Sequence, residues 1–230
     1  MKKKFIIAID GPVAAGKGTI APILAKRLNA FYLYTGGMYR CLALASLQEG
    51  IDIDNEAEVL NVLKKIKINL DGEKVFLNGE NVTEKIKNKE VVEAVAHGAS
   101  HPRVRELMVE KQREIGKKEV NSGKTVVVEG RDVGTKIFPE ADLKLFLTAT
   151  AEIRAKRRLE QIKESGGDAP YEEVLASLKE RDKMDIEREA GPLVSDPENY
   201  GYFILDNSNL TEEETIDAII SEIKKRGFND

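Results

Sequence analysis

The sequence predicts an α/β protein, a central parallel sheet with helices on both faces. Three observations carry this. Phe5 to Ile9 is a short, nearly continuous apolar run, as a strand covered on both faces requires. A glycine-bearing turn follows, after which Ile20, Ile23, Leu24 and Leu28 recur at helical spacing. Strand, glycine turn and helix open a layered α/β chain, and further buried-strand candidates follow at Thr125 to Val128, Leu143 to Leu147 and Phe203 to Leu205. Charged amphipathic helices, such as Thr211 to Lys225, run between and after them.

One stretch breaks this rhythm. Ile66, Ile68 and Leu70 alternate, Asp71-Gly72 turns, Val75 and Leu77 alternate, and Asn78-Gly79 turns again. Alternation around Asp-Gly and Asn-Gly is a strong local hairpin signal. Residues 63–95 are therefore expected to form a small β-rich insert on a core made of residues 1–62 and 96–230. Ser165-Gly166-Gly167-Asp168-Ala169-Pro170 reads as a loop between two charged helices. There is no internal repeat and no low-complexity segment.

The 230 residues carry 36 Lys+Arg against 40 Asp+Glu, a formal charge of -4, with 41% apolar residues. That apolar share excludes an ordinary disordered chain. A chain of this length buries roughly 70% of its unfolded surface and needs no disulfide or metal to hold it. The single cysteine, Cys41, excludes an intramolecular disulfide and points to a reducing compartment. The slightly acidic total argues against a generic nucleic-acid coat. No apolar run approaches the ~20 residues of a membrane span. Lys2-Lys3-Lys4 before Phe5-Ile6-Ile7-Ala8-Ile9 superficially imitates a signal peptide, but its apolar part is shorter than the usual roughly 7–15 residues. It reads instead as a core strand behind a solvated lysine run, which makes the sequons at Asn81 and Asn209 chance matches and the expected location cytoplasmic.

Gly11-Pro12-Val13-Ala14-Ala15-Gly16-Lys17-Gly18-Thr19 is the most informative segment. Gly11 and Gly16 permit a loop whose backbone N–H groups face phosphate oxygens, and the helix N-terminus that follows favours an anion. Lys17 supplies a mobile charge for the outer phosphates, and a hydroxyl just beyond it suits magnesium. The strict pattern puts that hydroxyl directly after the lysine, whereas here Gly18 intervenes before Thr19. A bland glycine turn with a surface lysine is the competing reading, and the strand before and helix after argue against it. Pro22 falls in the second helical turn, where proline costs about 3 kcal/mol, and nothing in the sequence accounts for it.

Four later clusters could face this loop. Thr35-Gly36-Gly37-Met38-Tyr39-Arg40 joins glycines that admit a close ligand to an arginine that forks onto phosphate. Pro102-Arg103-Val104-Arg105 opens a helix that runs through Arg113. Glu129-Gly130-Arg131-Asp132-Val133-Gly134 follows a strand end, where open α/β sheets bind ligands. Arg131 there suits phosphate, and Asp132 suits either an exocyclic amine or a neighbouring arginine. Finally, Arg154, Arg157 and Arg158 share one helical face, as do Arg181, Asp185 and Arg188. Such faces suit a lid over a triphosphate with the acid left for a sugar hydroxyl, although charge runs are usually solvated helix surfaces.

Together these residues describe phosphoryl transfer, which needs positioning and charge neutralisation. A phosphate acceptor, with a second pKa near about 6, is already nucleophilic at neutral pH and needs no general base. His97, His101 and Cys41 then read as packing or surface residues, and no zinc spacing occurs.

Ile9-Asp10-Gly11-Pro12, Gly16-Lys17-Gly18-Thr19, Thr35-Gly36-Gly37-Met38-Tyr39-Arg40, Pro102-Arg103-Val104-Arg105, Gly130-Arg131-Asp132-Val133-Gly134, Phe138-Pro139 and Lys179-Glu180-Arg181-Asp182 closely resemble the bacterial cytidylate kinases, in order along nearly the whole chain. In nucleoside monophosphate kinases glycine commonly follows the lysine, so Gly18 fits. The resemblance implies a P-loop three-layer sandwich with a monophosphate-binding insert at 63–95 and a helical lid at about 154–190. It implies ATP and Mg2+ at Gly11 to Thr19, with Thr19 holding the metal partly through water, and CMP or dCMP as the acceptor. Arg40 and Arg131, with Thr35 and Gly36, would take the acceptor phosphate, Arg105 and Asp132 the cytosine, and Asp185 the ribose. Lys17, Arg131, Arg181 and Arg188 would neutralise the transferring group, helped by lid arginines Arg157 and Arg158. A monomer with no nucleic-acid or membrane partner is expected. Three positions depart from the family pattern: Tyr34 replaces an aspartate, Gly37 an alanine, and Ala96 a serine that contacts the base in some members, with Ser100 nearby. Because these bear on the base and its surroundings, a monophosphate kinase for UMP or AMP, and a nucleotide-dependent regulatory protein, stand as the alternatives.

Overall fold

The computed structural model describes residues 4–164 and 166–228, with the side chain of Ala96 left aside. The lysine run at the start, apart from Lys4, and Ser165 of the expected loop lie outside the described residues, as does the side chain of the departure at Ala96.

Alternate residues of β1 (Ile6–Asp10) point into two separate cores. Ile7 and Ile9 pack with Ile20, Leu24, Leu145, Leu147, Ile216 and Ile219 on one face. Ala8 packs with Leu33, Val126 and Val128 on the other. The period-two alternation of a strand explains why the run must be apolar on both sides. β6 (Val126–Glu129) repeats the device, with Val127 in the first core and Val126 and Val128 in the second.

The sheet has five parallel strands in the order β2-β6-β1-β7-β8, with β2 at Phe31–Tyr34, β7 at Leu143–Thr148 and β8 at Phe203–Asp206. α1 (Lys17–Arg27) and α8 (Glu212–Lys225) cover one face. α8 is started by a capping box in which Thr211 and Glu214 bond reciprocally. α2 (Thr35–Gln48), α3 (Glu56–Lys65), α4 (Lys89–Gly98) and α5 (Pro102–Asn121) lie on the other. This is the three-layer α/β sandwich. α1 runs unbroken through Pro22.

β3 (Ile68–Asp71), β4 (Lys74–Leu77) and the two-residue β5 (Glu80–Asn81) form a separate antiparallel sheet. The second of its turns is Asn78-Gly79, both residues at positive φ, as a two-residue hairpin demands. Val75, Leu77, Val82 and Ile86 join the core that contains Ala8 and Val126, so this sheet shares the core of the main body. The expected boundary at residue 63 falls inside α3. α6 (Ala151–Glu164) and α7 (Tyr171–Glu187) pack on each other and onto Val13 and Ala14 of the glycine loop. No helix among the described residues is long and apolar enough to cross a membrane.

Candidate active site

The loop after β1 is built by backbone constraints. Gly11 lies at φ +151, where a Cβ would overlap the carbonyl oxygen of Leu147 on the adjacent strand. Gly16 is left-handed at φ +94, which lets the chain turn directly into α1. Thr19 and Ile20 donate back to Gly16 O at 3.0 and 2.9 Å. Lys17 is buried and donates from Nζ to the carbonyls of Gly11 and Pro12, each at 2.7 Å. Burial and then the nearby Arg131 pull its pKa down to about 7, against the pull of Glu129 and Asp10. Thr19 stands half-buried in the first turn of α1.

The helical pair α6–α7 holds the loop from above. Asp182 accepts from Val13 N at 3.3 Å, and Arg154 donates to Val13 O at 3.0 Å. The two side chains are themselves paired at 2.7 Å. Arg157 donates to the side-chain and backbone oxygens of Asn207 at 3.0 and 2.8 Å, and Asn207 donates to Ala15 O at 3.2 Å. Arg157 is thus tied to the loop, whereas Arg158 is exposed and donates to Gln161 at 3.3 Å. Arg158, expected alongside Arg157 to help over the triphosphate, stands one step along the helix on the solvent side. Arg154 takes the inward position that the shared face left undecided.

Beyond β6, the chain winds into a single i→i+5 turn, Val133–Ile137, before Phe138. Ahead of it, Arg131 and Asp132 enter a buried charge cluster. Arg131 donates to Asp185 Oδ2 at 2.8 Å, while Arg181 and Arg188 approach Asp185 Oδ1 at 3.5 and 3.4 Å. Burial works against ionising Asp185, and the three guanidiniums overcome it, holding its carboxyl below the usual value. Asp132 pairs with Arg105, both almost fully buried. Of the two roles read for Asp132, holding a neighbouring arginine is the one realised here. Gly191, at φ +61, presses on this pair: a Cβ there would stand 2.7 Å from Arg105 Nη2 and overlap Asp132 Oδ2. Arg188 donates to Gly191 O at 2.6 Å, and burial beside Arg105 lowers its pKa to about 10, still charged at neutral pH.

Tyr39 lies under Arg105, 5.4 Å from ring centroid to guanidinium carbon. Its hydroxyl and Arg188 Nη2 are buried with no hydrogen-bond partner among the described residues. Arg188 Nη2 stands 3.9 Å from Asp132 Oδ1, an ion-pair distance but not a hydrogen bond, and two buried polar atoms with no hydrogen bond beside one ion pair mark a place for a polar ligand. Thr35 donates to Glu129 O at 2.6 Å, tying the start of α2 to the end of β6. Gly36 sits against Tyr34 and Glu129: a Cβ there would stand 3.2 Å from Tyr34 Cε2 and 3.9 Å from Glu129 Oε1. Arg40 is half-buried near Tyr34, with no hydrogen bond among the described residues. Cys41 is buried, His97 is an exposed partner of Asp54, and His101 bonds Ile53 O.

Asp182, Gly191 and Asn207 were not singled out as site residues from the sequence, whereas Arg154 was read only as one member of the lid face. Of the first three only Asp182 had a local signal, in the Lys179-Glu180-Arg181-Asp182 run.

The cytidylate kinase family model matches residues 7–225. A cytidylate kinase of Caldanaerobacter subterraneus subsp. tengcongensis is 45% identical over 219 residues, covering 95% of this chain and 94% of that protein. The cytidylate kinase of Bacillus subtilis (strain 168) is 41% identical over 230 residues, covering 98% and 99%. Among solved structures, a gluconokinase of Sinorhizobium meliloti 1021 aligns with a TM-score of 0.51 at 12% identity, covering 98% of this chain and 94% of that one. A shikimate kinase of Acinetobacter baumannii aligns at 0.50 and 13%, covering 99% and 97%. At those identities the structures speak to the fold alone.

Proposed function

The chain belongs to the cytidylate kinase family, which makes it an ATP-dependent kinase of CMP and dCMP, and from that premise we propose how its own residues divide the work. The loop Gly11–Thr19 takes the phosphates of ATP on its backbone N–H groups and on Lys17. Arg157, fixed by Asn207, flanks the nucleotide. Arg40, Thr35, Gly36 and Arg131 receive the acceptor phosphate. Arg105 and Asp132 form the floor against which the base lies, with the free hydroxyl of Tyr39 and Nη2 of Arg188 at its edge. Asp185 spaces the three arginines and reaches the ribose.

The observation that carries this reading is the convergence of Lys17 and Arg131. The first arginine of the acceptor cluster is close enough to the lysine of the donor loop to pull that lysine's pKa down. A transferring phosphoryl group spreads charge over its oxygens, and cations on both sides of it stabilise that charge. The acceptor phosphate attacks as a dianion, so no side chain removes a proton.

Magnesium fits the donor set. The described residues hold no cluster of three acidic, histidine or cysteine side chains that would cage a metal. A single hydroxyl, Thr19, stands beside the loop, and Mg2+ is a metal that keeps its waters and binds through substrate phosphates. When bound, it supplies charge neutralisation to the phosphates. The corresponding reading of its partners is a monomer acting on the small molecules ATP and CMP or dCMP, without nucleic acid. The single, buried Cys41 supports a reducing, cytoplasmic location.

The test is ADP release with ATP, magnesium and each of CMP, dCMP, UMP, AMP and GMP. Release with CMP and dCMP alone is expected. Preference for another monophosphate would overturn the base assignment, and silence with all five would overturn the catalytic reading.

A further inference from the structure

Asp10 is the last residue of β1 and the one directly before the phosphate loop. It is fully buried. Its Oδ1 accepts from Val133 N at 2.8 Å. Its Oδ2 accepts from Gly134 N at 2.8 Å and from the hydroxyl of Tyr202 at 2.6 Å. No arginine or lysine forms an ion pair with it among the described residues. A buried carboxylate held only by neutral donors is expensive, and burial raises its pKa while those donors oppose the rise. An apolar side chain would be cheaper at the end of a core strand, so the cost calls for a task.

The geometry states the task. One residue earlier, Gly130 N donates to Ile9 O at 2.9 Å. The pair Arg131-Asp132 is thus stretched between two anchors, Gly130 before it and Val133-Gly134 after it. Both anchors are fastened to the two β1 residues that lead into Gly11. Gly134 permits this closeness, since a Cβ there would stand 2.6 Å from the Tyr202 oxygen. Tyr202 brings in a third segment: it leads into β8 and packs edge-on against Phe146, with ring centroids 6.0 Å apart.

We propose that Asp10 is a positioning residue that locks the acceptor-binding turn to the donor-binding loop, so that Arg131 and Lys17 keep one fixed separation during transfer. The proposal rests on the functional reading above. Asp10 is assigned no substrate contact, because its buried carboxylate is engaged on both oxygens by Val133, Gly134 and Tyr202. It acts through the backbone of the turn, as the supporting groups behind a catalytic residue do.

The test compares Asp10→Asn and Tyr202→Phe with the unaltered chain. The amide of Asn retains one oxygen acceptor but sets an NH2 group against a backbone N–H. Expected for Asp10→Asn is a loss of about tenfold or more in kcat/KM for CMP, with kcat falling. The affinity for ATP, measured by direct binding without acceptor, should stay within about threefold. Tyr202→Phe should move the same parameters in the same direction by a smaller factor. Amide hydrogen exchange at Val133 and Gly134 should accelerate in Asp10→Asn, which needs no substrate to read. Unchanged CMP kinetics in Asp10→Asn, or equal losses for ATP and CMP, would overturn the proposal. If Asp10→Asn does not fold, Tyr202→Phe decides: a CMP-selective loss supports the lock and unchanged kinetics overturns it. An unaltered chain inactive on CMP would instead sink the functional reading, and the exchange measurement would still decide whether the lock exists.

Discussion

The ring of Tyr34 lies flat against Gly37, so close that a Cβ on that glycine would stand 2.8 Å from Cε1 and nearer still to Cδ1. The two departures from the family pattern in this segment are therefore one departure. A tyrosine in place of an aspartate fills the space that an alanine methyl would need. Gly37→Ala alone should destabilise the chain by about 1–3 kcal/mol, the usual cost of overpacking. In the Tyr34→Asp background the same change should cost far less. A denaturant double-mutant cycle reads the coupling, and additivity of the two changes would show that they are independent.

Lys17 should take up a proton when ATP binds. Burial holds its folded, ligand-free pKa near about 7 against an ordinary 10.5. At pH 8 the ligand-free side chain is mostly neutral, and a triphosphate favours the ammonium, so binding draws in up to about one proton. Below pH 7 the uptake should fade, because the proton is already present. Calorimetry of ATP binding in two buffers of different ionisation enthalpy measures it. Lys17→Arg, charged throughout, should abolish the uptake while binding persists. The same shift sets a sign for stability: between pH 7 and 10.5 the folded chain binds fewer protons than the unfolded one, so stability rises with pH in that window.

The phosphate loop and its strand were legible because their signals are local. An apolar run, two glycines and a lysine lie within the thirteen residues from Phe5 to Lys17. β2 was not legible. Phe31–Tyr34 has only four residues and runs straight into α2 with no turn between, and what makes it a strand is pairing with Val126–Glu129, far along the chain. The same limit applies to charge. Spacing places Arg181, Asp185 and Arg188 on one face, and the structure brings them together, but it says nothing of Arg131 closing the cluster from another element. Nor does a strand-ending aspartate announce which backbone N–H groups it will hold.

Removing either partner of the Arg105–Asp132 pair should be costly in two separable ways. Asp132→Ala leaves a buried guanidinium with lost charge compensation, a defect worth about 3–5 kcal/mol. Arg105→Ala should behave alike. The double variant should cost less than the sum, because neither charge is then stranded. Recovery of CMP use is not expected with it, since the floor of the base site is gone. Urea unfolding and CMP kinetics on the three variants check both halves. A double variant that regains normal kcat/KM for CMP would show that the pair serves stability alone.

Arg154 and Arg158 offer the sharpest contrast on one helix. Both were read onto the same face, yet Arg154 grips Val13 O and Asp182 while Arg158 lies in solvent beside Gln161. Arg154→Ala takes from Asp182 its ion-pair partner, leaving it the Val13 N–H, and loosens the tip of the phosphate loop, whose Val13 loses a partner for its carbonyl. The KM for ATP should rise about tenfold, and stability should fall by about 1–3 kcal/mol, the cost of leaving buried polar groups unpaired. Arg158→Ala, like most exposed changes, should stay within about 0.5 kcal/mol and leave the ATP dependence unmoved. Steady-state kinetics with ATP varied at saturating CMP separates them. Equal effects of the two substitutions would mean that α6 reaches the triphosphate by a different face, and that the clamp on Val13 is not what holds the loop in place.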